Sequence, residues 1–142
     1  MATLTVSISE NITLNEKQRG GSQTVEITGV NYVDDRIVKV GTTEQSLLLF
    51  GSSEAAGQFA DANVDYVRIS NLSGTNFITL RVTAGNDEYF VKVPAGDSFL
   101  LFDTTMDADS AVGVATASLA NIDSIKAVAD TAACDVEVFV AQ

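Results

Sequence analysis

Tyr66-Val67-Arg68-Ile69-Ser70-Asn71-Leu72-Ser73-Gly74-Thr75-Asn76-Phe77-Ile78-Thr79-Leu80-Arg81-Val82 reads as two strands around a turn. Val67 and Ile69 share one phase, and Ile78, Leu80 and Val82 share another. Apolar residues at every second position mark a strand with one buried face. The Asn-Leu-Ser-Gly-Thr-Asn stretch between them is turn chemistry. Working outward, Tyr89, Val91 and Val93 repeat the alternation, and Ala84-Gly85-Asn86-Asp87 and Pro94-Ala95-Gly96-Asp97 supply two more turns. Pro94 has its φ fixed for the second position of a type I turn, and Gly96 falls at the fourth, where glycine is favoured. Residues 65–102 therefore read as four sequential strands joined by hairpin-sized loops.

The pattern extends to both ends. Leu4, Val6 and Ile8 alternate with polar residues, as do Val25 and Ile27. Leu47-Leu48-Leu49-Phe50 lacks alternation, which predicts a central strand covered on both faces. Residues 52–63 read as a loop or a single helical turn, with Gly57 opposing anything longer. Leu119, Ile122, Ile125 and Val128 recur every three residues and fit a short helix. Ile125, Ala127 and Ala129 fit a strand, and no good helix cap precedes them, so Ser124–Ala129 is predicted as a strand. The expectation is an all-β fold: a single β-sandwich, jelly-roll-like, spanning residues 1–142, with eight to ten short strands and at most one short helix. Residues 1–10 read as a first strand or a mobile arm.

Composition narrows the function. The chain has 142 residues, 8 basic against 19 acidic side chains, no His and one Cys. Without His there is no histidine triad, His-ligated zinc or imidazole base. A net charge of −11 opposes nucleic-acid binding, which depends on Lys and Arg releasing counterions. No stretch approaches the roughly 20 apolar residues of a membrane helix, and no basic and apolar leader opens the chain. A charged fraction of 19% is below the about 25% of ordinary soluble domains, which leaves surface for association with protein. Cys134 shares the phase of Val136, Val138 and Val140, and so reads as a buried structural thiol.

Candidate chemistry is sparse, and no catalytic, cofactor-binding or metal-binding residue is assigned. Asp103, Asp107 and Asp109 cluster after Phe99-Leu100-Leu101-Phe102 and offer hard oxygen ligands for Ca²⁺, but lack the glycine turn and distal Glu of an EF-hand; a solvated acidic loop is the favoured reading, since it explains the same residues at no cost. Asp34-Asp35-Arg36 and Asp61-Ala62-Asn63-Val64-Asp65 read as turns. Gly20-Gly21 follows a polar run and reads as a loop; Lys17 and Arg19 are either solvated or placed to meet an acidic partner. Phe77, Phe90 and Phe139 oppose the main apolar phases, which makes them candidate sugar platforms or contacts with a second sheet or subunit.

Tyr66 to Leu80, Tyr89-Phe90-Val91-Lys92-Val93-Pro94-Ala95-Gly96, and the run from Ser124 to Val138 together resemble small structural proteins of tailed-bacteriophage virions. That resemblance implies a non-enzymatic virion component, with the capsid exterior, neck and tail as locations and the major capsid protein as partner. It carries over no catalytic residue. A small rigid domain with an acidic surface suits capsid decoration, where many modest contacts sum across a lattice. A homo-oligomer is expected, a trimer because shells offer threefold positions. A carbohydrate-binding module is the alternative from another class.

Overall fold

A computed structural model describes residues 1–106 and 119–142. Asp107 and Asp109 lie outside the described residues. The chain is all-β, running β1 (Ala2–Ser9), β2 (Ile12–Leu14), β3 (Lys17–Arg19), β4 (Ser22–Val30), β5 (Val33–Val40), β6 (Gln45–Gly51), β7 (Phe59–Ala60), β8 (Tyr66–Asn71), β9 (Ile78–Ala84), β10 (Asp87–Val93), β11 (Ser98–Leu101), β12 (Thr105–Met106), β13 (Ala120–Asn121), β14 (Ser124–Ala129) and β15 (Cys134–Ala141). Among the described residues there is no α-helix, only a 3-10 turn at Asp61–Asn63. The strand segments outnumber the eight to ten expected, because several are two- or three-residue pairings that alternation cannot reveal.

Two larger sheets carry the core, one ordered β10-β9-β14-β6-β7 and the other β11-β8-β15-β5. Val67, Ile69, Val136 and Val138 from the second meet Ile78, Leu80, Val82 and Ile125 from the first in a single apolar cluster. These side chains are withdrawn completely from solvent, worth about 1.5–3 kcal/mol each for a fully buried aliphatic group. The same period-2 pattern that predicted the strands thus names the core.

The connections depart from expectation. Of the four strands between residues 65 and 102, only β9 and β10 form a hairpin, across Gly85-Asn86, whereas β8 pairs with β11 and β15 in the opposite sheet. The loops at 72–77 and 94–97 therefore cross between sheets. Asn71 holds both crossings. Buried, it donates from Nδ2 to the carbonyls of Asn76 at 2.8 Å, Val93 at 3.2 Å and Pro94 at 3.1 Å, and its Oδ1 accepts from the Ser73 amide at 3.1 Å.

β6 is not a central strand sealed on both faces. It lies next to the short β7, and Leu49 is exposed. Its missing alternation comes from a bulge: Ile125 pairs with Leu48 and Lys126 with Ser46, so Leu47 is the extra residue. A bulge turns two consecutive side chains toward one face, and Leu47 and Leu48 are both buried. Arg36 Nη2 donates to the Leu47 carbonyl at 2.7 Å. Asp34-Asp35-Arg36 lies inside β5, not in a turn; Asp34 and Arg36 share a face and form an ion pair.

Residues 2–30 build a separate two-stranded ribbon. β1 pairs antiparallel with β4, Leu4 opposite Ile27 and Val6 opposite Val25. The register continues through a Glu10 amide to Gly21 carbonyl bond of 2.8 Å into β2 and β3, where Ile12 faces Arg19 and Leu14 faces Lys17. Gly20-Gly21 is therefore part of the ribbon and not a free loop. At Gly20, φ is +112° and a Cβ would sit 2.1 Å from the Glu10 carbonyl oxygen, so only glycine fits. Asn15 and Glu16, with φ of 52° and 60°, close the ribbon in the two-residue geometry that needs positive φ at both positions. Residues 2–9, read as a strand or an arm, are the first strand of this ribbon.

Candidate interaction surfaces

Directly paired residues of an antiparallel ribbon share a face, so the register sorts the ribbon into two sides. One side is Ser, Thr, Asn and Gln with Glu26 opposite Thr5, the Ser7 and Thr24 hydroxyls 3.3 Å apart and Gln18 Nε2 donating to Asn11 Oδ1 at 2.9 Å. The other carries Leu4, Val6, Ile8, Val25 and Ile27, interrupted by Gln23 and Glu10, then Ile12 and Leu14 opposite Arg19 and Lys17. The apolar side begins where the chain packs on itself. Leu4, Val6 and Ile27 lie against a cluster of Val30, Tyr66 and Ala141 with Phe139 on the outer face of the four-stranded sheet.

That outer face has its own order. The Tyr66 ring meets Phe102 edge-on at 5.2 Å and Phe139 at 6.0 Å, and the Arg68 guanidinium lies 5.8 Å from the Phe139 ring centre while pairing with Glu137. Burial pushes the Tyr66 phenol above its ordinary pKa, partly offset by the charge of Arg68. Beyond the part the ribbon covers, the face continues to Ile37, which is 65% exposed, and Leu100. Asp35 and Asp135 lie on the same outward phase of β5 and β15, since Asp35 pairs with Phe139 and Asp135 with Lys39.

The distal ribbon is covered by nothing among the described residues. Ile12 is 56% and Leu14 51% exposed, and every residue from 9 to 24 is open to solvent. Sequence reasoning placed Lys17 and Arg19 in a polar run and did not see that they share a face with these two aliphatics. The sequence offers no clear signal for it, since Ile12-Thr13-Leu14 alternates but Lys17-Gln18-Arg19 is polar throughout.

The remaining candidates fall apart spatially. Phe139 is half-buried under the ribbon. Phe77 stacks against the Lys92 ammonium at 4.2 Å, and Phe90 stands alone, 60% exposed, on the far sheet. No single aromatic platform unites them. Asp103 accepts from the Thr105 amide at 2.8 Å and its hydroxyl at 2.7 Å, and these bonds hold its carboxyl below the ordinary carboxylate pKa. Asp61 sits across an open hollow from it, receiving a 2.9 Å bond from Asn121 Nδ2. Cys134 is buried, as its phase predicts.

One further cleft was not anticipated. Tyr32, 52% exposed, and Phe59 have ring centres 6.3 Å apart and line an open cavity of about 320 Å³ with Asp34, Arg36, Glu54 and Gln142. An aromatic wall beside charged and amide groups is a mixed surface able to stack a ring and hydrogen-bond its hydroxyls. Among the described residues no helix is long and apolar enough to cross a membrane. Comparison with protein-family models, with curated proteins and with solved structures found no match.

Proposed function

We propose that this chain is a non-enzymatic structural protein of a tailed-phage virion, a decoration protein that binds the capsid exterior through the major capsid protein and associates with itself. The observation that carries this reading is the amphipathic ribbon, whose apolar side runs past its last contact with the sheet and ends in an uncovered tip where Ile12 and Leu14 stand among charged groups of both signs. A protruding surface of that kind suits protein contact better than turnover of a small substrate. The strand orders support a jelly-roll sandwich: β5, β15, β8 and β11 in one sheet and β6, β14, β9 and β10 in the other are what a hairpin of four strand pairs gives when folded over. Jelly rolls serve both shells and lectins, so the fold is an analogy and the ribbon bears the argument. The net charge of −11 keeps such a subunit off packaged DNA. A trimer suits a threefold shell position, and neck, tail or fibre attachment is the neighbouring possibility.

Electron microscopy of particles assembled with and without the protein tests this. Added density at regular exterior positions of the shell is the expected result; density confined to neck or tail moves the location, and no association with particles overturns the reading. The Tyr32 cleft favours a second reading, a carbohydrate-binding module. Glycan-array binding abolished by Tyr32→Ala, without particle attachment, selects it.

A further inference from the structure

We infer that the distal half of the ribbon, residues 9–22, docks on the outer face of the four-stranded sheet of a second copy of this chain. The inference deepens the self-association in the proposed reading and is independent of any virion. It begins with stability. A two-stranded hairpin is at best marginally stable alone in water, and this one extends about six residues per strand, roughly 20 Å, beyond its last contact with the sheet. Its tip nevertheless places Ile12 and Leu14 on one side. A segment that only needed to be soluble would carry polar groups there, as its other side does.

The complementary surface is identified by what the same ribbon already covers. Leu4, Val6 and Ile27 lie on Tyr66 and Phe139, so this sheet face accepts the apolar side of this ribbon. Ile12 and Leu14 continue that side in register, and Ile37 and Leu100 continue the face uncovered. The two basic groups of the tip also find carboxylates on that face. Lys17 and Arg19, two of the chain's eight basic residues, stand opposite the two tip aliphatics, with Glu10 on the same side and Glu16 in the turn, while the other 17 of the 19 acidic residues lie outside residues 9–22. On the receiving face Asp35 and Lys39 flank Ile37 along β5, Glu137 lies directly across from it, and Asp135 lies across from Lys39. A tip two strands wide buries less than the about 800 Å² per partner of a stable interface, so each copy must both give a ribbon and receive one. Closed exchange of that kind is the usual symmetry of self-association.

The test uses the full chain with two variants whose altered residues are exposed in the single chain: Ile12→Asp with Leu14→Asp at the tip, and Ile37→Asp on the face. Light scattering coupled to size exclusion should give a multiple of 14.9 kDa for the parent chain. Each variant should weaken association at least tenfold while circular dichroism keeps the parent β spectrum. Zero-length carbodiimide coupling of mixed light and heavy-isotope protein should join Lys17 of one copy to Asp35 or Asp135 of another. An oligomer unaffected by both variants overturns the ribbon assignment and leaves self-association standing. A parent chain that is monomeric at high concentration overturns both.

Discussion

Asn71 ties two loops to one side chain, and its chemistry permits no close substitute. Its amide supplies donors to three carbonyl oxygens and an acceptor to one amide in a buried setting. A carboxylate there would set negative charge against those oxygens and leave them unpaired. Asn71→Asp should therefore lower stability by about 3 kcal/mol or more, read as a shift in the urea midpoint at unchanged slope. At the surface, Asp103 gives a pH-dependent counterpart. Its folded pKa is depressed by Thr105, so the stabilisation it contributes is present above the unfolded carboxyl pKa and fades as pH falls through the folded value. Thr105→Val removes the hydroxyl donor and keeps the amide, so the Asp103 carboxyl titration followed by NMR should move up toward the ordinary range without reaching it. An unchanged titration would show that the hydroxyl is not the cause.

At the scale of elements, the ribbon turn is the weakest local match between sequence and conformation. Glu16 holds a φ of 60°, a region where a side chain with Cβ costs about 1 kcal/mol relative to glycine. Glu16→Gly should raise amide-exchange protection across β2 and β3 by several-fold and leave the two larger sheets untouched. That turn also explains what the sequence withheld. Alternation marked Leu4 to Ile8 and Val25 to Ile27 as strands, and Ser124–Ala129 as a strand in place of a helix, because burial on one face imposes a period of two. The same pattern is silent about which sheet a strand joins, so the loops at 72–77 and 94–97 read as hairpins although they cross between sheets. It is equally silent where a bulge intervenes, so Leu47-Leu48-Leu49-Phe50 resembled a doubly covered strand. Lys17 and Arg19 were visible as charges, but their alignment with Ile12 and Leu14 depends on register, which the composition of the turn did not announce.

At the scale of the whole molecule, charge and apolar contact act on association in opposite directions. Copies carrying −11 repel one another over a range set by salt: about 30 Å at 0.01 M and about 8 Å at 0.15 M. The proposed contact of Lys17 and Arg19 with Asp35 and Asp135 is short-range, and Ile12 and Leu14 against Ile37 contributes without regard to salt. Raising salt from 0.01 M to 0.15 M thus removes repulsion between bodies tens of ångströms across while leaving the local pairs partly intact. Self-association should strengthen several-fold over that interval, then weaken modestly toward 1 M as the local ion pairs are also screened. Sedimentation equilibrium at three salt concentrations reads this directly. Lys17→Glu with Arg19→Glu should weaken association most at low salt and converge toward the parent at 1 M, where only the aliphatic contacts distinguish bound from free. A dissociation constant that rises steadily from 0.01 M upward would mean that ionic attraction dominates and that the aliphatic tip is not what holds the copies together.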